Sequence, residues 1–155
     1  MIFNIFFSLL IATAIWLAIM ISGADLRRRI IPDAYLFPLM LIGLILTTFY
    51  SFPTDISNAV IGATFGYIMA TIIGILFDKL QKNKNIPYPP IGMGDIKLIG
   101  VGGLWLGTNG LGLALIFACL IGAIWARFNQ QKYIPFAPFF LIGGFLSFLT
   151  GLFLL

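Results

Sequence analysis

Asp and Glu together number 5 in this chain of 155 residues, and two of them stand where an apolar run meets a polar one. Asp25 closes an apolar stretch and is followed at once by Arg27-Arg28-Arg29. Asp95 ends the sequence Gly92-Met93-Gly94-Asp95 and opens the apolar run Ile96–Gly107. A carboxylate at the edge of a membrane is costly to keep and is a functional candidate by default. Two such groups at equal depth on neighbouring helices can share one proton, because close like charges do not both ionise cheaply. The ionised member then serves as a base toward a bound water, and the protonated one polarises a carbonyl. Titration belongs to the pair and not to either residue. A plainer account also fits: Asp25 offsets the three arginines, Asp95 starts a helix at its favourable end, and Gly92 and Gly94 make a tight turn. Gly-x-Gly-Asp alone is a weak signal, so its position has to carry the case.

The composition says what must hold these residues. The chain is 61% hydrophobic and 9% charged, with a mean hydropathy of +1.08, whereas soluble domains are about a quarter charged. The apolar runs are continuous, not alternating, which excludes a membrane barrel. The expectation is an all-α integral membrane protein forming a single polytopic domain over residues 1–155. Cys119 is the lone cysteine and there is no histidine; an internal disulfide is excluded and a zinc site is disfavoured. No metal or organic cofactor is implied, and the net charge of +4 is read as membrane orientation, not as a nucleic-acid surface.

In chain order, residues 1–24 form a first span of roughly 35 Å. The segment lacks the basic start of a cleaved signal. A second span is expected at 34–50 after Pro32, with Pro38 near its start. A third, at 56–77, carries Gly62, Gly66, Ala70 and Gly74 four apart, a stripe for close helix packing. Residues 78–94 are polar and end in Pro87, Pro89 and Pro90, which forbid a continuous helix. The fourth span, 96–107, is short and rich in glycine. Thr108-Asn109-Gly110 makes a turn, a fifth span covers 111–126, and Pro135–Leu155 supplies a sixth. With six transmembrane helices, all 9 basic residues (Arg27, Arg28, Arg29, Lys79, Lys82, Lys84, Lys97, Arg127 and Lys132) fall on one side. That side is cytoplasmic and both termini are non-cytoplasmic. A five-span alternative, with 96–126 as one kinked helix, puts Arg127 and Lys132 on the wrong side. Asp25 and Asp95 then lie together at the cytoplasmic boundary.

Asp25 followed by Ile31-Pro32-Asp33, then Gly92-Met93-Gly94-Asp95-Ile96-Lys97, then Ile134-Pro135-Phe136-Ala137-Pro138, resembles the type IV prepilin peptidases, membrane aspartyl proteases of the GxGD class. The resemblance spans nearly the whole chain, in order. It implies that Asp25 and Asp95 are the catalytic pair, that Gly92 and Gly94 admit an extended substrate backbone, and that Lys97 and Asp33 lie on the substrate side of the site. Lys97 also has a plainer role, snorkelling to lipid head groups. The family usually has Asn where this chain has Asp33. Longer members carry an N-terminal module with paired Cys-x-x-Cys motifs, linked to N-methylation of the product. This chain resembles the short forms found with tight-adherence pili and archaeal preflagellin processing, so cleavage without methylation is expected.

The implied substrate is a prepilin-like or preflagellin-like protein with a short basic cytoplasmic leader, cut at the inner (cytoplasmic) membrane surface. Lys79, Lys82 and Lys84 would repel such a leader and are assigned to orientation and lipid contact. Three other readings remain. A small transporter or channel using Asp25 and Asp95 as ion sites would more naturally place them at the midplane of a repeated fold. A non-catalytic assembly subunit would not need both aspartates. Presenilin-like proteases are generally longer and cut within the membrane.

Overall fold

The computed structural model describes residues 2–82, 91–129 and 134–154. The expectations that fall on Lys84, Pro87, Pro89, Pro90 and Lys132 lie outside these residues. The described chain forms five helices: α1 (Ile2–Arg28), α2 (Asp33–Tyr50), α3 (Ile56–Lys82), α4 (Met93–Asn129) and α5 (Phe136–Leu154). Four contain segments long and apolar enough to cross a membrane: Asn4–Arg28, Asp33–Tyr50, Ile56–Leu80 and Met93–Asn129. A shorter apolar helix covers Phe136–Leu152. Helix α3 continues to Lys82, five residues past the expected end at 77 (82 − 77). Its last residues, Asp78 to Lys82, are polar but contain no proline, so nothing in them stops the helix.

Helix α4 is not straight. Gly107 adopts φ 68°, ψ −176°, outside the helical region and at a sign of φ that favours glycine. A Cβ placed on Gly66 of α3 would lie within 3.3 Å of both Ile99 and Leu111. In an unbroken helix those two residues would be roughly 18 Å apart. The chain therefore doubles back at Gly107, and residues 93–106 and 108–129 form two limbs of a hairpin. The expected turn at Thr108-Asn109-Gly110 is helical instead, and the reversal is made by Gly107. Asn58 explains why a single residue suffices. The Thr108 N–H, orphaned by the break, donates to Asn58 Oδ1 at 3.2 Å, while the Asn58 N–H donates to Asp55 Oδ2 at 3.1 Å in the first turn of α3. One side chain thus caps the second limb while its own backbone is capped by Asp55.

The glycine stripe of α3 is where this hairpin seats. A Cβ on Gly62 would lie 2.5 Å from the Gly103 carbonyl oxygen, and one on Gly103 would overlap Gly62 in return. Two backbones meet there with no side chain between them. Helix α5 lies along the other face of the hairpin, with Gly102 against the Phe140 ring and Gly143 against the Ala114 carbonyl. The Ser147 hydroxyl donates to the Gly110 carbonyl at 2.8 Å. Helices α1 and α2 complete the bundle, and Trp105 Nε1 donates to the Leu39 carbonyl at 3.1 Å. At the end away from Asp25, Phe52 stacks edge-on against Phe7 and Phe148, with ring centroids 5.2 and 5.7 Å apart. Cys119 is exposed on the second limb of α4.

Candidate active site

Asp25 occupies the last turn of α1. Its carbonyl accepts the Arg29 N–H at 2.9 Å, and Arg29, at φ 54°, turns the chain out of the helix. A carboxylate at the C-terminal end of its own helix meets the negative end of the dipole, and burial adds to the cost. Asp25 is nevertheless 5% exposed. The compensation comes from the far end of the sequence: the Ala137 N–H, in the first turn of α5, donates to Asp25 Oδ2 at 2.7 Å. Asp25 thus caps α5, a role that sequence reasoning had not given it.

Asp95 sits in the first turn of α4, half-buried. Its Oδ2 accepts the Gly92 N–H at 3.3 Å, and the Gly92 carbonyl accepts the Ile96 N–H at 3.2 Å. This is the reach-back arm of a capping box, with Gly92 in the cap position. The helix-start account of Asp95 therefore holds, and it does not keep the start of α4 away from the chain that leaves Asp25. The link between Asp25 and Asp33 makes the contact. A Cβ on Gly94 would sit 2.9 Å from the Ile31 Cβ, and Ile31 is buried. Gly94 thus lets the chain that leaves Asp25 lie across the start of α4, so its close approach is to Ile31 of this same chain. Gly92 faces outward.

Lys97 and Asp33 are also brought together. Lys97 Nζ donates to both Asp33 oxygens, at 2.9 and 2.7 Å, and ties the first turn of α2 to the second turn of α4. Four of the sequence-selected residues, Asp25, Asp33, Asp95 and Lys97, therefore gather where α1, α2, α4 and α5 begin or end. Sequence reasoning missed Ala137, whose contribution is a main-chain N–H. The only hint was the Pro-Phe-Ala-Pro stretch around it. An apolar cavity of about 270 Å³ runs through the bundle, lined by Leu98, Val101 and Trp105 of α4 and Phe140 of α5, and reaches Phe52 and Phe148 at the end away from Asp25.

The type IV leader peptidase family's sequence profile matches residues 5–127. The chain belongs to that family. It is 30% identical over 143 residues to a prepilin leader peptidase/N-methyltransferase of Aeromonas salmonicida (strain A449), covering 88% of this chain and 47% of that protein. It is 32% identical, with the same coverage, to the protein of that name from Pseudomonas aeruginosa. A Xanthomonas campestris protein of the same name is 29% identical over 137 residues, covering 84% of this chain and 46% of its own. The chain spans about half the length of these curated leader peptidase relatives. No solved structure matches it. The matched region contains Asp25, Asp33, Asp95 and Lys97, and ends before α5.

Proposed function

We propose that this chain is a membrane aspartyl endopeptidase that removes the basic leader of a prepilin-like or preflagellin-like protein at the cytoplasmic face of the inner membrane. What supports the reading is a buried Asp25 together with Asp95 at the start of α4, where Gly94 packs against Ile31 of the chain that leaves Asp25. In this scheme a water lies between the two carboxyls. One, ionised, takes a proton from the water as it attacks the scissile carbonyl carbon. The other donates to the carbonyl oxygen, and the proton returns to the leaving nitrogen as the C–N bond breaks. Lys97 and Asp33 border the approach to the pair. The proposal covers cleavage alone.

The same reading counts the two limbs of α4 as separate crossings, which gives six. All 9 basic residues then share the cytoplasmic side with the aspartates, and both termini lie opposite. The first test is leader removal from a co-expressed type IV prepilin by wild type, Asp25→Asn and Asp95→Asn. Each single variant is expected to insert normally and to lose cleavage by at least about a thousandfold, in line with loss of a catalytic group that acts as part of a unit. Wild-type cutting by both variants would remove the aspartyl mechanism.

A further inference from the structure

The first turn of α5 has four positions whose N–H groups have no partner within the helix. Two of them, Pro135 and Pro138, are prolines and carry no N–H. That leaves Phe136 and Ala137. The Ala137 N–H donates to Asp25 Oδ2 at 2.7 Å. One of the two free donors of this turn, the buried one, is therefore spent on the Asp25 side chain, in a place where Ala137 and Pro135 are both buried. Because buried backbone donors must be satisfied, the Ala137 N–H keeps its partner only while Asp25 stays there. The contact also sets the positive end of α5 against a carboxylate that its own helix disfavours.

We propose that the α5 N-terminal turn is a positioning element for the active site, with the Ala137 N–H fixing the orientation of Asp25. It holds Oδ2, so that Oδ1 is the oxygen left to face Asp95 and the water. This rests on the peptidase reading above. Ala137 touches neither substrate nor water; it acts through Asp25.

The test compares Ala137→Pro, which deletes the donor in a helix turn that tolerates proline, with Ala137→Gly, which keeps it. Both are set beside Asp25→Asn, in full-length protein acting on a detergent-solubilised type IV prepilin. One hydrogen bond to a charged group corresponds to about a ten- to hundredfold loss of kcat in Ala137→Pro, with KM within about threefold of wild type. Ala137→Gly is expected to retain at least about tenfold more turnover than Ala137→Pro. A second measurement does not depend on activity. Between Pro135 and Pro138 only two amides exchange hydrogen, so their protection reads the contact directly. It is expected to be strong in wild type and to fall by about tenfold or more in Asp25→Ala, while the rest of α5 keeps its rates. Equal kcat in Ala137→Pro and wild type, or an equal fall in Ala137→Gly, would overturn the positioning role and leave the aspartyl reading intact. Unchanged amide protection in Asp25→Ala would do the same. Normal cutting by Asp25→Asn would overturn both.

Discussion

Lys97 lies two residues beyond Asp95 and gives its ammonium to both oxygens of Asp33. The two side chains are 34% and 48% exposed, so solvent screens them, and an exposed pair of this kind contributes about 0–1 kcal/mol. Lys97→Met is therefore expected to lower stability by less than about 1 kcal/mol, with the difference shrinking as salt approaches about 1 M. Thermal unfolding in detergent at two salt concentrations checks this; a larger, salt-independent loss would mean the pair is sealed by lipid. The residue scale is also where the sequence was most and least legible. Asp25 and Asp95 stood out because carboxylates are scarce in an apolar chain and both lie at the ends of apolar runs. Ala137 stood out only as part of the Ile134–Pro138 motif, and its contact with Asp25 could not be read, since a backbone N–H has no residue type. The Lys97–Asp33 pairing was hidden as well, because a charge on the sequence does not say which helix end will face it.

Helices α3 and α4 meet through glycine backbones, and that contact tolerates nothing larger. Gly103→Ala drives a methyl group into Gly62 and is expected to cost about 1–3 kcal/mol, as overpacking does. Gly107→Ala adds a backbone conformation open essentially to glycine alone, worth about 1–3 kcal/mol, to a collision with Asn58, and is expected to be worse. Gly23→Ala is the contrast: nothing lies within 4 Å of its added Cβ, and in a helix it is expected to gain about 0.5–1 kcal/mol. Unfolding midpoints of the three variants in one detergent give the order directly, and a Gly103→Ala protein as stable as Gly23→Ala would contradict the close backbone packing. The stripe Gly62, Gly66, Ala70 and Gly74 announced a tight interface at the sequence level. Its partner could not be read, because Gly100, Gly102 and Gly103 offer several faces. The reversal was placed one to three residues late for a related reason: Thr108-Asn109-Gly110 has turn composition, but Asn58, from another helix, supplies the cap that lets those residues stay helical.

For the molecule as a whole, an all-helical chain with apolar helices of membrane-crossing length was readable from composition and spacing, because bilayer thickness fixes the length of each run. The order in which the helices pack was not, since lipid-facing and helix-facing apolar residues look alike. Tags at the two termini are expected to be reached by an impermeant reagent from the non-cytoplasmic side of intact cells, and a tag in the loop between α3 and α4 only after permeabilisation. A protected N-terminal tag in a correctly inserted protein would overturn the six-crossing arrangement. The contact between Asp25 and Ala137 joins residues 112 positions apart, and so it has a date as well as a place. At about 5–20 residues per second, the ribosome finishes Ala137 roughly six to twenty seconds after Asp25. During that interval the newborn protein carries its aspartates beside the insertion machinery without the turn that orients one of them. On the aspartyl reading proposed above, hydrolytic competence arrives only once α5 has been made, so a nascent copy without that helix is a poor protease toward its neighbours and toward itself.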